Sequence, residues 1–442
     1  MNRLRVSAFA ALLASVLVGA AVAQPAQAED NGVARTPAMG WSSWSFVRHN
    51  PTAAVIDAQA DAMKSSGLST HGFVYVNVDD FWMACNGTGP EVDGNGRWVA
   101  NTGKFPGGIK AVADHVHADG LKFGLYVTPG IAENAVLANT PIAGTAYHAK
   151  DIAKTSVSEK NYNCKHMYGI DYSKPGAQAF VNSWAQQFAS WGVDYLKIDG
   201  VGTSDVPDVT AWSSALRNSG RAIDFALSNN LAIGSATTWA RTANSWRTSG
   251  DIECYCGSGG ASYPLTNFAH VSSRFNQAAS WQPYAAPGGW NDLDSTEIGN
   301  GGNDGITTDQ RRTALTLWSM ASAPLLLGTD LTHLDATDLA MLTNDAVLGV
   351  DQDAIAAKRI VDSGSGQVFA KKESSGAVVI ALFNTSTTAS ATVSVSLTSA
   401  GIGSGKATVT DLWAGKSGGT VSGTYSATLR PGETRLIRAV AA

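Results

Sequence analysis

From Thr36 to about Val350, short apolar runs alternate with longer stretches whose apolar residues recur every three to four positions. The short runs are Met39-Gly40-Trp41, Phe73 to Val78, Phe123 to Val127, Tyr195 to Ile198, Ile223 to Leu227, a brief one before Arg247, Gly289-Trp290-Asn291 and Pro324 to Leu327. Such continuous runs, bounded by turn residues, suit strands buried on both faces. Between them, Phe180, Trp184, Phe188 and Trp191 form one helical stripe that Gly192 ends, and Leu315, Leu317 and Trp318 mark another within 310–321. Asn50-Pro51 predicts a helix start, and Gly67 its stop. Strand and helix repeated eight times predict parallel strands closing as a (β/α)8 TIM barrel. A doubly wound open sheet is the alternative, but no Gly-rich phosphate loop follows the first strand.

After about Val350 the period falls to two. Val393, Val395 and Leu397 alternate with Ser394 and Ser396, and Ser-Gly, Gly-Gly and Pro431-Gly432 mark turns. Short strands at 367–370, 377–383, 392–397, 407–412 and 425–429 predict a small C-terminal antiparallel β-sandwich. The domains are then a barrel over 29–350 and a sandwich over 351–442. Residues 1–28 read differently. Arg3 and Arg5 precede an apolar run from Val6 to Val22, and Ala21-Val22-Ala23 and Ala26-Gln27-Ala28 are small-x-small cleavage patterns. This is the layout of a secretory signal peptide, so a soluble, secreted protein is expected.

Composition narrows the partners. The 442 residues are 44% hydrophobic and 15% charged, with thirteen Trp and a net charge of -5. No basic block favours nucleic acid or an acidic membrane. The four cysteines, Cys85, Cys164, Cys254 and Cys256, allow two disulfides in three pairings. Placement after the second, third and sixth strands favours Cys85–Cys164 and Cys254–Cys256. The Cys254-x-Cys256 spacing lacks a second ligand pair, and His115 and His117 lie on different helix faces. No metal and no cofactor are expected.

A barrel keeps its chemistry at the C-terminal ends of its strands. Asp79, Asp80, Asp199, Asp251 and Asp294 all fall at or just after such ends. Asp199 closes the apolar Tyr195-Leu196-Lys197-Ile198, and Asp251 follows Trp246-Arg247. Two carboxylates from different strand ends are the minimum equipment for cleaving a glycosidic bond.

Six phrases carry a resemblance. They are Thr36 to Trp44 (TPAMGWSSW), Val78-Asp79-Asp80-Phe81-Trp82, Tyr195 to Gly200 (YLKIDG), Trp246-Arg247 through Asp251-Ile252, Gly288 to Asp294 (GGWNDLD) and Ala323-Pro324-Leu325. In this order the chain resembles glycoside hydrolase family 27, the α-galactosidases and α-N-acetylgalactosaminidases. The resemblance implies a retaining hydrolase that removes terminal α-galactose from an oligosaccharide or polysaccharide. It implies Asp199 as nucleophile and Asp251 as general acid/base. Asp79 and Asp80 match the pair that holds a sugar's 4- and 6-hydroxyls, Lys197 and Arg247 sugar-contacting cations, Trp44 and Tyr126 pocket walls, and Asp294 a further pocket carboxylate. The chain departs from the family at Phe81 and Val201, where animal and plant members carry Cys. Val127-Thr128-Pro129-Gly130 replaces an acid-bearing loop. Leu227-Ser228-Asn229-Asn230 replaces a Cys-Glu-Trp-Pro pattern whose Glu meets the sugar's 2-hydroxyl, so Ser228 is the expected neighbour of that position. The resemblance therefore leaves α-N-acetylgalactosaminide, β-L-arabinopyranoside and α-1,6-glucan as alternative substrates, and a non-catalytic sugar-binding protein as the alternative function.

Overall fold

The computed structural model describes residues 29–257 and 262–442. The expected leader at 1–28 lies outside the described residues. Eight parallel strands make up the first sheet: β1 (Met39–Ser42), β2 (Tyr75–Val78), β3 (Lys122–Val127), β4 (Val193–Ile198), β5 (Asp224–Leu227), β6 (Ser245–Arg247), β7 (Trp290–Asp292) and β8 (Leu325–Leu327). Their order is β7-β6-β5-β4-β3-β2-β1-β8. A parallel bridge between Thr296, just past β7, and Leu327 of β8 brings the two ends of the sheet together. This is the barrel the alternation predicted.

Helices cover the outside of the sheet. α1 (Ala53–Ser65) starts later than Asn50-Pro51 suggested. Thr52 is the cap, its hydroxyl accepting the Val55 N–H at 3.3 Å, so Pro51 stays outside the helix. Gly67 does follow its end, at φ +86. α2 (Ala177–Trp191) buries Phe180, Trp184 and Phe188 and is ended by Gly192 at φ +86. Among the described residues no helix is long and apolar enough to cross a bilayer.

Inside the barrel the two-residue period of a strand separates two chemistries. On β4, Leu196 and Ile198 join the large core beneath the helices, while Tyr195 packs with Tyr75, Ala226 and Leu326 in a separate small cluster. Lys197 and Asp199 continue the Tyr195 face toward the strand's C-terminal end. Gly124 of β3 is required here, because a Cβ would lie 1.9 Å from Asn77 Oδ1 and 3.1 Å from Tyr195 Cβ.

A hairpin (Ala153–Asn161 with Lys165–Ile170) interrupts the β3-to-β4 connection, and its polar sequence was not read as strand. It is tied to the loop after β2 by the Cys85–Cys164 disulfide, and the second disulfide is Cys254–Cys256. Both expected pairings are present.

The C-terminal sheet has the order β9 (Lys358–Ser363), β10 (Gly366–Lys372), β11 (Val378–Asn384), β16 (Thr434–Ala441), β13 (Lys406–Asp411), β14 (Lys416–Ser422). Against it lies the pair β12 (Ala391–Ser396) and β15 (Thr424–Leu429). Val393 and Val395 are buried and Ser394 is exposed, as the alternation required. In β11, Val378, Ile380 and Leu382 face the sandwich core, whereas Val379, Ala381 and Phe383 belong to the barrel's core cluster. Phe383 meets Phe275 of α3 (Phe268–Trp281) edge-on at 4.9 Å.

Candidate active site

A cavity of about 340 Å³ opens at the C-terminal end of the barrel strands, lined by Trp44, Asp79, Asp80, Tyr126, Tyr162, Lys197, Asp199, Asp251 and Tyr255. Seven of the ten residues singled out in the sequence meet here. The other three, Ser228, Arg247 and Asp294, line a smaller cavity of about 30 Å³ deeper in the barrel, which Asp79 and Lys197 also line. That volume is of the order of one water. Ser228 is 3% exposed, and among the described residues its hydroxyl has no hydrogen-bond partner.

Asp199 is half-buried just past β4, its N–H bonded to the Val127 carbonyl at 2.9 Å. Among the described residues its carboxylate accepts no hydrogen bond, unlike the other acids lining the cavity. Asp79 accepts Lys197 Nζ at 2.8 Å and the Asp80 N–H at 2.9 Å. Asp80 accepts the Phe81 N–H at 2.6 Å and the Asn163 N–H at 2.9 Å, so the inserted hairpin fixes it from above. Burial pushes Asp80 up to about 6, with the neighbouring Asp79 charge adding to the effect.

Asp251 sits across the cavity, its side chain 41% exposed. It accepts Arg247 at 2.5 Å and the Tyr255 hydroxyl at 2.6 Å. Burial works to raise its pKa, but the Arg247 guanidinium and the Tyr255 hydrogen bond outweigh it, leaving the carboxyl below its ordinary value. Arg247 also pairs with Asp294, whose second oxygen accepts the Ile252 N–H at 2.7 Å. Asp294 holds a left-handed φ of +83, and it secures the Asp251 loop from beneath. Asp251, Glu253 and Asp294 bring carboxylate oxygens within 4.8 Å of one another, and Arg247 supplies positive charge among them.

The two cations are committed to Asp79, Asp251 and Asp294 rather than to Asp199. Burial pulls the Lys197 pKa down, yet Asp79 and Asp199 together raise it, so the ammonium stays charged at every physiological pH. Tyr126 is buried under Lys197, with Nζ 5.7 Å from its ring centroid. Trp82 is core, its indole N–H bonded to the Tyr126 carbonyl at 2.9 Å.

Sequence reasoning missed two tyrosines. Tyr162 sits in the turn of the unforeseen hairpin and meets Trp44 edge-on at 5.6 Å. Tyr255 lies between two cysteines, and the Cys-Tyr-Cys phrase was the signal that would have found it.

A barrel whose C-terminal end gathers opposed carboxylates and an aromatic rim around a sugar-sized space defines a glycoside hydrolase. Comparison with known proteins specifies which. The family model for alpha galactosidase A matches residues 36–166 and 167–353, and that for the alpha galactosidase C-terminal beta sandwich domain matches 363–439. Alpha-galactosidase 2 of Arabidopsis thaliana is 34% identical over 408 residues, covering 91% of this chain and 89% of that protein. Among solved structures, a GH27 β-L-arabinopyranosidase from Geobacillus stearothermophilus superposes with a TM-score of 0.83 at 30% identity, covering 92% of this chain and 97% of the other. Alpha-galactosidase I from Mortierella vinacea gives 0.74 at 26% identity, covering 93% and 99%. The chain belongs to the α-galactosidase family, glycoside hydrolase family 27.

Proposed function

We propose that this glycoside hydrolase removes terminal α-galactose by double displacement, with Asp199 as nucleophile and Asp251 as acid/base. The observation that carries the reading is the contrast between the two carboxylates. Among the described residues no donor bonds the Asp199 carboxylate, and it lines the cavity. Asp251 is held by donors on both oxygens. Asp199 attacks the anomeric carbon while protonated Asp251 gives its proton to the leaving oxygen; Asp251 then takes a proton from the incoming water. Arg247 and Tyr255 lower Asp251, so its protonated fraction falls as pH rises and the first step is favoured on the acidic side of neutrality.

Asp79, Asp80 and Lys197 serve as hydroxyl partners of the sugar, and Trp44 and Tyr126 as its apolar walls. Arg247 and Asp294 act through Asp251. Ser228 enters as the neighbour of the 2-position; if Ser228→Glu leaves the ratio of galactoside to N-acetylgalactosaminide cleavage unchanged, that role is removed. The exposed rim of Tyr162 and Tyr255 leaves room for the rest of an oligosaccharide or polysaccharide. Secretion is part of the same reading, supported by the apolar stretch 6–22 and by two disulfides that persist in an oxidising compartment.

Proton NMR of the first sugar released tests the mechanism: α-galactose is expected, and initial β-galactose would overturn it. Asp251→Ala with azide should yield α-galactosyl azide from an activated aryl galactoside, because azide displaces Asp199 from the face that water uses; a β-azide would contradict the assignment of roles. The similarity to a β-L-arabinopyranosidase favours one second reading. Comparing kcat/KM for aryl α-galactoside and aryl β-L-arabinopyranoside decides between them.

A further inference from the structure

Tyr255 lines the same cavity as Asp199 and Asp251 and holds a left-handed φ of +47. Its two neighbours in sequence are joined to each other, Cα to Cα 5.1 Å apart, so the tyrosine rides on a three-residue covalent ring. The guanidinium of Arg48 lies 4.6 Å from its ring centroid. Its hydroxyl contacts Trp44 Nε1 at 3.0 Å and Asp251 Oδ2 at 2.6 Å. An indole N–H donates and never accepts. The Tyr255 oxygen therefore accepts from Trp44, and its single hydrogen is delivered to Asp251.

We propose that Tyr255 is a positioning residue for the acid/base: the Cys254–Cys256 ring holds it across the pocket mouth so that the relay Trp44 to Tyr255 to Asp251 favours the carboxylate needed to activate water. The proposal rests on the reading of Asp251 as the acid/base. Other charged groups also face Asp251. Arg247 comes from β6, Lys197 and Asp199 from the end of β4, Glu253 from the same loop, and Asp294 from beyond β7 through Arg247. Arg48 reaches it through the Tyr255 ring. All of these survive when one hydroxyl oxygen is removed from residue 255, so Tyr255→Phe isolates the relay.

The experiment is the pH dependence of kcat/KM on two substrates: an alkyl α-galactoside, which needs a proton to leave, and a dinitrophenyl α-galactoside, which does not. Losing a hydrogen bond to the charged form lets Asp251 keep its proton to higher pH. In Tyr255→Phe the alkaline limb on the alkyl galactoside should move up by about one pH unit, the size of one charged hydrogen bond. The dinitrophenyl limb should stay where it is. Cys254→Ser with Cys256→Ser keeps the hydroxyl but frees it, and should move the alkyl limb the same way by less. If wild-type limbs coincide for the two substrates, the assignment of Asp251 falls and the proposal with it. If they differ and Tyr255→Phe leaves the alkyl limb unmoved, the proposal alone is overturned. An unmoved limb in the cysteine variant overturns the role given to the ring.

Discussion

β4 of the barrel and β11 of the sandwich obey the same two-residue alternation and are built for opposite ends. In β11 both faces are apolar: Val378, Ile380 and Leu382 fill the sandwich, and Val379, Ala381 and Phe383 fill the seam against the barrel. In β4, Leu196 and Ile198 are core of that kind, as is Val193 at the strand's start, before an irregularity in its pairing with β3. The other face carries Tyr195, Lys197 and, at the strand's end, Asp199. Burying a charge costs several kcal/mol unless it is paired, so a protein that needed only stability would have made both strands alike. The charged face of β4 points to chemistry, and the doubly apolar β11 to support.

The largest expected effects set these two strands against each other. Asp199→Gly should lower kcat/KM by at least about 10⁴-fold with little change in thermal midpoint, because the residue is only half-buried and carries the covalent step. Phe383→Ala should do the reverse. It should cost about 3–5 kcal/mol of stability by opening a cavity at the Phe275 contact, while kcat/KM of the folded enzyme holds. Denaturant titration and steady-state kinetics on both variants check this. A stable, active Phe383→Ala protein would break the comparison.

Asp79→Asn sharpens it within the barrel. The change keeps size but removes the charge that balances Lys197 and a proposed hydroxyl acceptor. A fall in kcat/KM of about 10²–10³-fold is expected, several kcal/mol of transition-state binding. An unchanged specificity constant would place Asp79 outside the reaction.

Stability should also depend on pH through the barrel's buried acids. Asp224, at the start of β5, is pushed up to about 7 by burial, which Lys122 only partly offsets. A carboxyl raised in the fold favours the protonated native state. Its contribution is fully present below the unfolded value near 4 and is lost as pH rises to about 7. Asp224→Asn should flatten the decline of thermal midpoint across that window, by an amount worth at most about 4 kcal/mol. An unaltered slope would mean Asp224 ionises as freely in the fold as outside it.

The smallest effect belongs to the sandwich's open face. Ser394 and Ser426 share a hydrogen bond at 2.8 Å across the exposed side of β12 and β15. Ser394→Ala should change stability by less than about 0.5 kcal/mol and leave kinetics alone. A larger loss would show that this face is covered in use.

The repeat of apolar runs and helical stripes determined the barrel, and the shift to a two-residue period determined the sandwich, because each pattern records which face of an element is removed from water. The strand-end positions of Asp79, Asp80, Asp199, Asp251 and Asp294 were legible for the same reason. What a linear chain does not record is which partner each charge takes. Lys197 precedes Asp199 by two residues yet bonds Asp79, just past β2 and two strands away in the sheet, since the closed sheet turns both side chains toward the barrel's interior. Ser228 reads as a pocket residue beside Asn229, but the barrel's curvature sets it in the deeper cavity. The polar hairpin at 153–170 has no apolar face to announce it, and Tyr162 came with it. Tyr255 reaches Asp251 only because a disulfide and a left-handed turn aim it there. Distances between side chains on different elements arise from closing the sheet, and closure is a property of all eight strands together.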